Sequence, residues 1–234
     1  MQDHKQKTIM AVGAHTGDAQ LTCGMLLAKH ALRGDRVVVV DLTAGERGAP
    51  PGMTVADFRA ENVAGAKAFA DELGGESIVF DVPDGELYPS MEIELQLAQI
   101  MREKQVNNVL YHFKNSLHKD HVAAHTITKN AIFFASLQTF EHPLPPAPVS
   151  RAIMAENWED AEGFAPYFYF DVTEAFPMWK KAVLNLWLAE NSKSFKYLRY
   201  YEALSICRGA QIKVDHATAF ATFEYAKRVR VEEL

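Results

Sequence analysis

Cysteine is nearly absent from this chain: Cys23 and Cys207 are the only two in 234 residues. Two isolated cysteines make no disulfide framework, and without a C-x-x-C pair no thiolate zinc site is expected. A reducing, cytoplasmic setting fits that usage. Long apolar runs are missing too. No stretch approaches the ~20 apolar residues that span a bilayer, so no membrane segment is expected. Met1 to Lys7 is polar and lacks the apolar core of a signal peptide. Basic residues are outnumbered, 24 against 30 acidic, for a net charge of −6 with histidines neutral. That balance argues against nucleic acid as a partner and leaves neutral small molecules open. A dinucleotide fingerprint is also lacking. Gly13, Gly17 and Gly24 do not have the G-x-G-x-x-G spacing, and His15 and Asp18 stand where a pyrophosphate needs bare backbone.

What is present reads as an ordinary globular chain, 48% hydrophobic and 23% charged. Thr8 to Ala14 is short and apolar and predicts a buried strand. Leu21 to Leu32 predicts a helix stopped by Gly34. Val37 to Val40 is a β-branched run suited to a sheet covered on both faces. A helix over 55–73, a strand over 77–80, a helix over 91–104, a strand over 109–113 and a helix over 121–137 follow. This alternation predicts an α/β fold, a Rossmann-like, mostly parallel sheet with helices on both faces. Four prolines between His142 and Pro148 forbid a helix there. Beyond them, strands are expected at 151–156 and 167–172, and helices at 173–188 and 195–208. The expected organisation is one domain over 1–234, with a core at 8–137 and a C-terminal elaboration at 149–234.

Open parallel sheets bind ligands beyond the carboxyl ends of their strands, where strand order reverses. In the common order 3-2-1-4-5 the first and fourth strands meet at that point. The loops after them carry the best metal-ligand candidates, His15 and Asp18 in one and His118, Asp120 and His121 in the other. Either cluster alone reads more readily as a turn or a helix cap. Their convergence points to a site of two histidines and a carboxylate with one position left for water.

These motifs resemble the PIG-L/LmbE-like N-deacetylases. That family carries A-H-P-D-D-x-E after the first strand, T-x-G-E-x-G after the second and H-P-D-H after the fourth. This chain has Ala14 to Gln20 (A-H-T-G-D-A-Q), Thr43 to Gly48 (T-A-G-E-R-G) and His118 to His121 (H-K-D-H). Arg59-Ala60-Glu61 resembles the family's R-x-x-E element, one residue tighter, and Pro83 to Leu87 resembles its P-D-G-x-L turn. The resemblance implies Zn2+ held by His15, Asp18 and His121. It implies that Asp120 orients His118, whose imidazole steadies an oxyanion or serves the leaving amine, and that Arg59 contacts substrate. It further implies an N-acylated, sugar-like substrate and a homo-oligomer.

Three positions depart from the pattern, among them Thr218, which stands where the family has another Glu. Gly17 stands where the family has its general base, and Gln20 where it has Glu. A general base adds about 10²–10⁴-fold, roughly 3–5 kcal/mol of barrier. Glu46 and Asp120 are the candidate replacements. The intact His118 and Asp120 favour an active deacetylase. Gly17 favours a metal-retaining, catalytically impaired binding protein.

Overall fold

The computed structural model describes residues 5–139, 142–158 and 162–228. Its strands are β1 (Thr8–His15), β2 (Arg36–Thr43), β3 (Glu76–Val82), β4 (Asn108–His112), β5 (Arg151–Ala155), β6 (Phe168–Asp171) and β7 (Ala217–Ala221). Its helices are α1 (Asp18–Thr22), α2 (Gly24–Leu32), α3 (Val55–Glu72), α4 (Met91–Glu103), α5 (Lys119–Ser136), α6 (Phe176–Val183), α7 (Trp187–Asn191) and α8 (Tyr197–Ile212). All seven strands join one sheet in the order β3-β2-β1-β4-β5-β7-β6. The first five are parallel, and β7 runs antiparallel to both β5 and β6.

The two-residue period of the strands sorts the core into two layers. Ile9, Val37, Val39, Leu110 and Ile153 face α2, α3 and α6, where Leu27, Phe69 and Trp179 cover them. Met10, Val38, Val40, Val109 and Met154 face α4 and α5, under Leu97, Met101 and Ile127. Residues 37–43 of β2 are all buried, as a strand with helices on both faces requires. Among the described residues, no helix is long and apolar enough to cross a membrane.

Three expectations change. The helix expected at 21–32 starts at Asp18 and is interrupted at Cys23. The Thr22 hydroxyl donates to the Asp18 carbonyl (2.8 Å), a local bond that competes with helix continuation. The helix expected at 173–188 becomes α6 and α7 with a turn between them. There the carbonyl of Asn185 lies against α3 so closely that a Cβ on Gly65 would be 2.8 Å away. That break turns Trp187 and Leu188 toward the ends of the parallel strands. Finally, Ala217–Ala221 is a strand that small residues do not announce. Its long-range pairing with β5 and β6 creates it.

Candidate active site

Strand order reverses between β1 and β4, and the loops beyond their carboxyl ends meet there. The turns after β2, β3 and β5 and the start of α7 complete a cleft of about 250 Å³. His15, Asp18, Asp84, His118 and His121 all line it.

The structure brings the three expected ligands together. Asp18 Oδ2 lies 3.2 Å from His15 Nδ1 and 3.3 Å from His121 Nε2. The same oxygen accepts the His15 backbone N–H (2.8 Å), which fixes the carboxylate in the loop. His112 Nε2 is also 3.3 Å from Asp18 Oδ2. That nitrogen already accepts the Ala14 N–H at 3.0 Å, and an imidazole nitrogen has one lone pair. His112 is thereby a brace between β1 and β4. His125 lies behind it, its Nδ1 donating to the His112 carbonyl at 2.9 Å.

His15 is flanked on its far side. Its Nε2 is 3.1 Å from Asp84 Oδ1 and 3.4 Å from Asp120 Oδ2, without hydrogen-bond geometry to either. Burial alone would discourage charge on this ring. The carboxylates of Asp120, Asp18 and Asp84 outweigh it and raise the His15 pKa well above the usual value. Three carboxylates therefore crowd one imidazole, and among the described residues the cleft lining contains no lysine or arginine. Asp120 Oδ1 is buried without a hydrogen-bond partner, with the exposed Lys119 ammonium 3.5 Å away. Nitrogen and oxygen donors of excess negative charge, with orphaned polar atoms among them, suit a divalent cation such as Zn2+. Among the described residues, three groupings satisfy the spacing of a metal site: His15 with His118 and His121, Asp18 with His112 and His121, and His15 with Asp84 and Asp120.

The remaining expected residues are placed differently from the sequence reading. The Asp120 carboxylate does not hold the His118 ring. It accepts the Gly85 N–H (2.8 Å) and faces His15, while the Asp120 backbone N–H donates to His118 Nδ1 (3.2 Å). The cause is that His118 is the N-cap of α5, so its ring serves the helix's free backbone donors. With Nδ1 so used, the neutral ring carries its proton on Nε2. Burial, then the charges of His15 and His121, lower its pKa and favour that neutral form. Glu46 is buried, 5% exposed, and does not line the cleft. Its Oε1 accepts the Asp84 N–H (2.9 Å), so it holds the turn that presents Asp84. Arg59 does not line the cleft either. It faces Glu46 (3.5 Å) and donates to Asp81 (2.8 Å), a result of the α3 face on which it lies. The residue three after Arg59 is Asn62, which does line the cleft and donates to the Ala44 carbonyl at 2.8 Å.

Gly17 and Gln20 acquire reasons. Gly17 has φ +111°, and a Cβ there would lie 2.2 Å from Leu188 Cδ2. Gln20 accepts the Gly17 N–H (2.9 Å) and donates to Asp41 Oδ2 (2.7 Å). Asp41 is fully buried, and burial, reinforced by the charge of Asp18, raises its pKa well above the usual carboxylate value. A second carboxylate at position 20 would face it directly.

Several cleft residues were not singled out from sequence. Asp84 lies in a turn whose motif was visible, but its place beside His15 was not. Phe58, Trp158, Trp187, Leu188 and Tyr197 form an apolar, mostly aromatic wall. Phe58 and Trp187 meet edge to face with centroids 5.1 Å apart. No local pattern announces these residues, because four different segments supply them.

Residues 10–132 match the sequence model of a family described as PIG-L, GlcNAc-PI de-N-acetylase. A curated relative, 4-oxalmesaconate hydratase of Pseudomonas putida (strain KT2440), is 27% identical over 217 residues, covering 89% of this chain and 82% of that protein. Two solved structures share the fold. The 4-carboxy-2-hydroxymuconate hydratase from Pseudomonas putida KT2440 superposes with a TM-score of 0.84 at 23% identity, over 98% of this chain and 99% of that one. The N,N'-diacetylchitobiose deacetylase from Pyrococcus horikoshii does so with a TM-score of 0.78 at 19% identity, over 92% and 83%.

Proposed function

The chain belongs to the PIG-L family, and from that premise we propose that it is a metal-dependent amide hydrolase acting on an uncharged, N-acylated, sugar-like substrate. The observation that carries this reading is the composition of the cleft. Besides the histidines and carboxylates, Phe58, Trp158, Trp187 and Tyr197 line it, and among the described residues no lysine or arginine does. Flat apolar faces suit the faces of a neutral ring.

His15, Asp18 and His121 would hold Zn2+, which when bound polarises the acyl oxygen and acidifies water. The chain's own groups supply the rest. His118, neutral with its proton on Nε2, donates a hydrogen bond to the oxygen on which charge develops. Among the described residues, Asp84 is the one carboxylate besides Asp18 on the cleft wall. Burial opposes its ionisation, but the contact with His15 and the Arg47 N–H keep its pKa below the usual value. It is therefore ionised and takes the proton from the attacking water, the task for which position 17 has no side chain. Water adds to the acyl carbon, the C–N bond breaks, and the nitrogen leaves as the protonated amine. The products are a carboxylate and an amino sugar.

The 27% identical relative favours a second reading, hydration of a carbon–carbon double bond. Its substrate bears several carboxylates, which arginine or lysine would be needed to pair. The experiment incubates Zn2+-loaded protein with an N-acetylated amino sugar and, separately, with 4-oxalmesaconate. Release of acetate and free amine in equal amounts is the expected result. Hydration of the polycarboxylate without amide cleavage would replace this reading with the second.

A further inference from the structure

His121 has two ring nitrogens, and only one of them faces the carboxylate of Asp18. The other, Nδ1, lies 3.0 Å from the side-chain amide of Asn157, and Ser116 Oγ is 3.3 Å away. Asn157 follows β5, is 3% exposed and does not line the cleft. Its other amide end accepts from the Tyr201 hydroxyl at 3.1 Å. That hydroxyl in turn accepts the Trp158 backbone N–H at 3.0 Å. Tyr201 belongs to α8 and is 4% exposed. A buried chain of four groups therefore runs from Trp158 through Tyr201 and Asn157 to the back of His121.

We propose that Asn157, anchored by Tyr201, is a positioning residue that fixes the ring of His121 for a cation at Asp18. The proposal rests on the metal-site reading given above. An imidazole that ligates through Nε2 carries its proton on Nδ1 and needs an acceptor there, a contact that orients the ring and raises its basicity. An asparagine amide can meet that need, because its oxygen and nitrogen ends have the same shape. With the NH2 end toward Nδ1, the ring's proton sits on Nε2 and points at Asp18, the metal-free arrangement. With the oxygen toward Nδ1, Nε2 is left with a free lone pair. The Tyr201 hydroxyl serves both states, since it donates to an amide oxygen or accepts from an amide NH2. Asn157 thus supports His121 whether or not a cation is present. Through it, the helix α8, far along the chain, bears on a ligand from α5.

The test uses the full chain, stripped of metal, with Zn2+ affinity measured by chelator competition and folding checked by the melting temperature of the metal-free protein. The variants are Asn157→Ala, Asn157→Asp, Tyr201→Phe and His121→Ala. Asn157→Ala is expected to weaken Zn2+ binding about 10- to 100-fold. Asn157→Asp, an obligate acceptor of the same shape, is expected to bind Zn2+ more tightly than wild type, whereas a purely packing role predicts unchanged affinity from an unchanged shape. Tyr201→Phe is expected to weaken binding less than Asn157→Ala does. Nitrogen-15 NMR of the His121 ring should show its proton moving to Nδ1 when Zn2+ is added. Affinity within twofold of wild type in Asn157→Ala, with binding lost in His121→Ala, would overturn the positioning role and leave the metal site standing. Undiminished binding in His121→Ala would instead remove the site reading itself. If Asn157→Ala does not fold, the decision falls to Asn157→Asp and the NMR, where a proton that stays on Nε2 with Zn2+ bound overturns the proposal.

Discussion

Leu188 occupies the space that a side chain at position 17 would need, its Cδ2 standing 2.2 Å from where a Cβ on Gly17 would be. The absent carboxylate and the apolar residue are two halves of one arrangement. A side chain at position 17 would also meet backbone strain, because Gly17 has φ +111°, a region that side chains rarely adopt.

Gly17→Ala and Gly17→Asp are both expected to lose roughly 2–5 kcal/mol of stability, from backbone strain and overpacking together. Adding Leu188→Ala should return the packing part, about 1–3 kcal/mol. Denaturant midpoints of the four proteins measure this. Gly17→Asp with wild-type stability would mean that Leu188 yields freely.

Metal content separates the ligands from their neighbours. Elemental analysis should find one divalent ion per chain, lost in His15→Ala, Asp18→Ala and His121→Ala. His112→Gln should keep the ion, since that ring is committed to the Ala14 N–H. Loss of metal in His112→Gln at unchanged melting temperature would make His112 a ligand.

Asp84→Asn should lower kcat for amide hydrolysis by about 10²–10⁴-fold, the usual worth of a general base. KM and metal content should change little. A change in KM alone would recast Asp84 as a group that binds substrate.

Asp41 gives stability a pH dependence of definite sign. Its folded-state pKa lies above the unfolded value near 3.8, chiefly through burial. Its contribution is therefore fully present below that value and is lost as pH rises through the raised pKa. Asp41→Asn should flatten the melting temperature over that window and gain on the wild type at neutral pH. Parallel curves for the two proteins would show that Asp41 is ionised when folded.

The parallel part of the fold was legible because its signals are local. Val37 to Val40 can hardly be anything but a covered strand, and topology alone brings the loops of His15 and His118 face to face. What resisted reading depends on contacts between distant segments. β7 exists because β5 and β6 bond to it. The Asp120 carboxylate serves His15 because the Gly85 turn and the α5 cap direct it there. Asn157, Trp187 and Leu188 carry no sequence mark of their role, and only the break between α6 and α7 places the last two at the cleft.

The sheet order also has a consequence for how the chain is made. Among the described residues β6 is bonded to β7 alone, and residues 172–216 lie between the two strands. During synthesis, which delivers the N-terminal segments first, β6 has no place in the sheet until residues 217–221 have left the ribosome. His15, Asp18, Asp84, Asp120 and His121 emerge well before then, while Trp158, Trp187 and Tyr197 come later. The nascent polypeptide therefore carries the histidines and carboxylates of the cleft before it carries Trp158, Trp187 and Tyr197 of the wall beside them.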